Sequence, residues 1–124
     1  MPVSSFRDPT AAENDLLGRL LAQDFPGRAE ILQQLQKCQV QTVDENGSLE
    51  FKIDSSARTT STKSRVPTEG EVDDTDGVTI HFLLHVVNDV VSYLEVFKED
   101  NSQIVTMPAP ECIRVFLPYS GPHG

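Results

Sequence analysis

The sequence predicts an α+β fold, with two N-terminal helices packed on one face of a mostly antiparallel sheet of about five to six strands. Three observations carry that expectation. Apolar residues recur at helical spacing in two segments between Ala11 and Lys37. The runs 78–87 and 90–97 are dense in Val, Ile, Leu, Phe and Tyr and meet at Asn88-Asp89, residue types that tolerate the positive φ of a tight hairpin turn. Shorter alternating runs bounded by turn residues stand on both sides of this hairpin. At 124 residues and 13.7 kDa, the chain 1–124 reads as a single domain.

The first helix is expected over 11–23. Thr10 is its N-cap, Glu13 completes a capping box, and Leu16, Leu17, Leu20 and Leu21 form its apolar stripe. Asp24-Phe25-Pro26-Gly27 breaks the chain before a second helix over 28–37. There Ile31, Leu32 and Leu35 share a face, while Glu30, Gln33, Gln34 and Lys37 lie away from it. Both stripes are narrow, so the pair should cover one sheet face. Weak alternation over 38–43, the turn Asp44-Glu45-Asn46-Gly47 and strict alternation over 49–53 read as strand, turn and strand, with Leu49, Phe51 and Ile53 inward. Small polar residues with no apolar period predict a mobile loop over 55–65. Residues 66–73 read as an edge strand, because Pro67 and Gly70 weaken a central position. After the hairpin a short apolar run over 104–107 is broken by Pro108 and Pro110. A last strand is expected over 112–117, followed by a frayed tail over 118–124.

A two-residue turn at Asn88-Asp89 sets Val87 opposite Val90 and carries the register back through Leu83 with Leu94 to Ile80 with Phe97. One face then holds Ile80, Phe82, Leu84, Val86, Val91, Tyr93, Glu95 and Phe97; the other holds His81, Leu83, His85, Val87, Val90, Ser92, Leu94 and Val96. Both faces are mostly apolar, so helices should cover one and a further element or a second copy of the chain the other. Glu95 is out of place in this register: burial without a partner would suit a general acid, whereas a strand-end register shift or a bulge would move it to solvent, and the latter is the favoured reading.

Formal charge is −9, from 19 acids and 10 bases. The excess is local: Glu69, Glu71, Asp73, Asp74, Asp76, Asp89, Glu95, Glu99 and Asp100 stand against Lys98 in the same stretch. This argues against nucleic-acid binding, which needs Lys and Arg to replace phosphate counterions, and admits a basic protein partner. The bland role of Glu69, Glu71, Asp73, Asp74 and Asp76 is solubility and protection of a strand edge; the sharper one is a docking surface.

His81 and His85 have the i, i+4 spacing of a helical zinc site, but on a strand their Cα atoms stand roughly 13 Å apart, too far for one metal. They read as half-buried imidazoles bonded to neighbours such as Ser92. On an interface they would make it sensitive to pH near about 6. Cys38 and Cys112 belong to no Cys-x-x-Cys or Cys/His cluster and read as buried thiols. No Gly-x-Ser-x-Gly elbow, phosphate-cradling glycine loop, signal peptide or run near about 18 apolar residues is present in the sequence, so no cofactor or membrane is expected and the default location is the cytoplasm.

The segments Asp24-Phe-Pro-Gly-Arg28, Asp44-Glu-Asn-Gly-Ser-Leu-Glu50, Arg65-Val-Pro-Thr-Glu-Gly70, Asp76-Gly-Val-Thr-Ile-His-Phe-Leu-Leu-His-Val-Val87 and Leu94-Glu-Val-Phe-Lys-Glu-Asp100 occur in this order. Over residues 13–110 the chain resembles a family of small, stand-alone bacterial proteins of uncharacterised function. The resemblance implies a cytoplasmic α+β domain and brings no catalytic motif. In size and charge such proteins are similar to immunity proteins that neutralise toxins. The expectation is therefore a non-enzymatic protein-interaction module, conceivably immunity-like, that meets a basic partner through Glu69, Glu71, Asp73, Asp74, Asp76, His81 and His85. The alternative is a homodimer or small-ligand-binding domain built on the His81 and His85 face. An acid/base enzyme would need His81 and Glu95 to converge in a pocket.

Overall fold

The computed structural model describes residues 6–54, 59 and 64–117. The expected mobile loop lies mostly outside the described residues, at 55–58 and 60–63, and the expected frayed tail 118–124 lies wholly outside them. Helices α1 (Ala11–Leu20) and α2 (Arg28–Gln36) precede strands β1 (Gln39–Thr42), β2 (Leu49–Lys52), β3 (Thr68–Asp73), β4 (Thr79–Val87) and β5 (Val90–Lys98). A 3-10 turn at Pro110–Cys112 leads to β6 (Arg114–Phe116). The six strands form one sheet in the order β1-β2-β5-β4-β3-β6, with every pairing antiparallel. No described helix is long and apolar enough to cross a membrane.

Local chemistry sets the helix limits. Thr10 and Glu13 form the expected capping box, and the Arg7 guanidinium, donating to Glu13 at 2.7 Å, holds that carboxyl below its usual range. Helix α1 ends at Leu20, short of the expected 23. Leu17, Leu20 and Leu21 are buried, the Thr68 hydroxyl donates to the Leu20 carbonyl at 2.6 Å, and Arg28 Nε donates to the Leu21 carbonyl at 2.6 Å. Gly27, at φ 91°, makes the turn into α2. Gln34, placed by periodicity on the outer side of α2, is buried instead. Its Oε1 accepts from the Val91 amide at 2.8 Å and its Nε2 donates to the Asp89 carbonyl at 3.2 Å, so it pins α2 to the hairpin.

The turn at Asn88 and Asp89 has φ of 53° and 65°, as the residue types require, and Val87 faces Val90. The expected register then fails. Val86 pairs with Val91, but His85 pairs with Tyr93, leaving Ser92 as a bulge. Beyond it Leu84 faces Leu94, Phe82 faces Val96 and Ile80 faces Lys98. Leu94, Val96 and Lys98 therefore join the helix-covered face, and Tyr93, Glu95 and Phe97 move to the other. The core is Ile80, Phe82, Leu84, Val86, Val91, Leu94 and Val96 against Leu17, Leu20, Leu21 and Ile31, extended by Val40, Leu49 and Phe51. The opposite face is not mostly apolar: carboxylates, imidazoles and half-buried aromatics share it.

Two further expectations change. Strand β3 is no edge, since β6 pairs along it. Pro67 falls just before its first residue, and Gly70 is where the layers close: an added Cβ would sit 2.7 Å from Ile113 Cγ2 and 2.9 Å from Leu20 Cδ2. Cys38 is buried, where desolvation pushes its thiol up, but Cys112 is exposed.

Lys98, carried into the core by the bulge, is fully buried with Asp74. Its ammonium lies 2.9 Å from Asp74, also pairs with Asp76, and donates to the Gln103 carbonyl at 3.1 Å. Burial disfavours the Asp74 carboxylate. The Val105 amide at 2.7 Å, the Lys98 ammonium, and the Thr75 and Thr106 amides outweigh it and hold the group well below the usual range. Burial likewise opposes the Lys98 charge, but Asp76 and Asp74 raise its pKa on balance.

Gly70→Ala is expected to destabilise the fold by about 1–3 kcal/mol through overpacking, read as a lower urea midpoint at unchanged slope. An unchanged midpoint would contradict the close approach at Gly70. For Asp74, whose folded pKa lies below its unfolded one, the stabilisation is complete above the unfolded carboxylate range and is lost as pH falls through the depressed folded value. Lys98 has the opposite sign: its contribution holds below the unfolded lysine pKa and disappears as pH rises through the higher folded one. Urea midpoints of Asp74→Asn should be lower than wild type near neutrality and fall less on acidification below about pH 5. Parallel curves would show that Asp74 carries no such load.

Candidate functional site

The sheet face away from the helices is open among the described residues. Its composition follows from the pairings. One row runs Gln41, Glu50, Tyr93, His85; the next holds Glu95, Leu83, Glu69, Phe116; a third holds Phe97, His81, Glu71, Arg114. Tyr93, Phe97 and Leu83 are half-buried here, and Phe116 is exposed.

Both histidines have carboxylate partners. His81 Nε2 is 2.8 Å from Glu99 Oε1 and its Nδ1 is 3.9 Å from Glu71, while its ring stacks on Phe97 with centroids 5.0 Å apart. Glu71 in turn meets Arg114 at 3.3 Å, and Arg114 lies 4.0 Å from Asp73. His85 Nε2 is 3.0 Å from Glu95 Oε1, and its ring tilts against Tyr93 at 6.0 Å. The partner of His85 is thus Glu95, where the sequence suggested Ser92, because the bulge brought Glu95 across. His81 and Glu95 do not converge.

His85 Nδ1 is buried and has no hydrogen-bond partner among the described residues. A depression of about 450 Å³ opens beside His85, lined among others by Glu50, Arg65, Tyr93 and Glu95. No group of three or more His, Cys, Asp or Glu side chains capable of holding a metal occurs among the described residues.

Of the residues singled out from sequence, Glu69, Glu71, His81 and His85 share the open face and Asp73 lies at its margin, 2.9 Å from the Thr79 hydroxyl. Asp74 and Asp76 are engaged by Lys98, with Asp74 buried. The face also holds Glu50, Tyr93, Glu95, Phe97, Glu99 and Arg114, which sequence reasoning left out of the site. Reading β5 with one surplus residue would have found Tyr93, Glu95 and Phe97, and the alternation of β2 puts Glu50 outward; no sequence signal marks Arg114.

A family described as "Domain of unknown function (DUF6984)" matches residues 6–108. The chain belongs to that family. The match takes in both helices, β1 to β5 and both histidine–carboxylate pairs, and it ends before β6, so Arg114 lies outside it. No curated protein and no solved structure matches the chain.

A carboxylate beside Nε2 fixes the proton there in a neutral imidazole. ¹⁵N-detected spectra at alkaline pH should accordingly report the Nε2–H tautomer for His85 and His81, and Glu95→Gln should broaden that preference at His85 alone. An Nδ1–H tautomer at His85 would contradict the pairing.

Proposed function

We propose that this protein is a non-enzymatic protein-interaction module, and that the open sheet face docks a basic protein partner. The observation that carries the reading is a sheet face, uncovered among the described residues, on which Glu50, Glu69, Glu71, Asp73, Glu95 and Glu99 surround half-buried aromatic rings. Among the described residues, Lys52, Arg65 and Arg114 are too few to balance those acids. Aromatic anchors within a charged rim are the make-up of a docking patch.

The sheet edges are poorly suited to strand addition. At β1, Arg7 exchanges backbone hydrogen bonds with Val40 at 2.9 and 2.7 Å. At β6, Arg19 takes the Ile113 carbonyl at 2.8 Å and Gln23 takes that of Val115 at 3.0 Å. Self-association through the open face would set like charges against each other, which favours a basic partner over a homodimer. An immunity-like role, in which the face neutralises a basic toxin, is the narrower form of the proposal. The thiols are unbridged, in keeping with a cytoplasmic location.

Calorimetric titration with an oligo-arginine peptide should give an affinity that falls by about tenfold or more between low and physiological salt. Charge reversal at Glu71 and Glu99 should abolish that binding, while the same change at Asp15 and Asp24 on the helix side should leave most of it. Equal loss from both pairs would mean that net charge alone is responsible. A dimer in light scattering at tens of micromolar would favour the homodimer instead.

A further inference from the structure

We propose that the depression beside His85 is the anchor pocket of the docking face and receives a single arginine side chain of the basic partner. The proposal rests on the interaction reading above and adds to it the place and the chemistry of the central contact. Tyr93 is the pocket's platform. It lies between two cross-strand neighbours, Glu50 on β2 and His85 on β4, with Glu95 two residues along its own strand on the same face. The His85 and Tyr93 rings, tilted by 52°, form an aromatic corner at the pocket wall.

Each flanking carboxylate is held in place through one oxygen. Glu50 Oε1 accepts from Gln41 Nε2 at 2.7 Å, and Glu95 Oε1 faces His85 Nε2 at 3.0 Å. No second hydrogen bond joins either carboxylate to a described residue, which leaves an acceptor oxygen on each of two residues that neighbour Tyr93 on this face. That arrangement suits a guanidinium, which stacks its plane on an aromatic face and directs N–H groups outward to carboxylates. A lysine ammonium, a compact point charge, would use the carboxylates but not the ring plane as well. Among the described lining residues Arg65 is the cation, and the two glutamates outnumber it. Its volume, about 450 Å³, accommodates one arginine side chain with water. Glu69, Glu71 and Glu99 extend the negative field away from the pocket and would guide the rest of a basic segment.

The test is an NMR titration of the whole chain with three capped tripeptides, Gly-Xaa-Gly with Xaa arginine, lysine or citrulline, the last a neutral isostere of arginine. The arginine peptide should saturably shift the resonances of Glu50, His85, Tyr93 and Glu95. The lysine peptide should bind there several-fold more weakly, and the citrulline peptide should leave them unmoved. Glu95→Gln, at a half-exposed side chain that the fold can spare, should weaken the arginine peptide by about tenfold. Tyr93→Ala should do the same, with its spectrum confirming the fold. Arginine-peptide shifts that centre on Glu71 and His81 while the pocket stays silent would overturn the anchor and leave the docking face standing. Equal shifts from the citrulline peptide would also overturn it. No shift from either cationic peptide anywhere on the face would overturn both readings.

Discussion

Between the pairs Val86–Val91 and His85–Tyr93, β5 carries one residue more than β4, and every side chain beyond Ser92 changes face as a result. Leu94 and Val96 enter the core beside Leu84 and Phe82. Tyr93, Glu95 and Phe97 leave it and line the open face, and Lys98 is carried inward at the strand's end. The bulge is held from the helix side by Gln34, whose amide group meets the Val91 amide and the Asp89 carbonyl. A buried glutamine on α2 thus satisfies backbone groups on the turn side of the surplus residue.

Burying Lys98 requires partners, and the fold supplies them from two connections. Asp74 and Asp76 come from the β3–β4 turn, and the Gln103 carbonyl comes from the segment after β5. Asp74 also receives the amides of Thr75, Val105 and Thr106, so one carboxylate ties the turn to the later segment. An apolar cluster of the same shape could be as stable. What the charges contribute is selectivity: Lys98 is tolerable inside only where these acceptors converge, which disfavours the alternative register with Phe97 in its place.

The elements were legible where local chemistry decides them. Thr10 and Glu13 marked a helix start, Asn88-Asp89 a hairpin turn, and the alternation of Leu49, Glu50, Phe51 and Lys52 a half-buried strand. The register of β5 was half legible. Glu95 on an apolar face pointed to a bulge or shift, as found, but Tyr93, Val96 and Phe97 are all apolar enough to be read inward, so alternation did not place the surplus residue at Ser92. The burial of Lys98 was not legible either: nothing local shows that Asp74 and Asp76 from another turn reach it. Glycine at residue 70 signalled a weak position by propensity, whereas in space it marks the point where Leu20 and Ile113 close on the sheet. The candidate site was half legible. His81, His85, Glu69 and Glu71 were marked by residue type, alternation put Glu50 outward and Glu95 was flagged as out of place, while Glu99 and Arg114 join them through pairings that no local pattern encodes.

The open face is therefore a by-product of the register, and its histidine–carboxylate pairs stand or fall with the bulge. Interstrand backbone NOEs across β4 and β5 test this most directly. Contacts that pair Leu84 with Leu94, Phe82 with Val96 and Ile80 with Lys98 are the expected result. Contacts that pair Leu83 with Leu94 and Ile80 with Phe97 would remove the bulge, return Glu95 to the helix-covered side, and contradict the account.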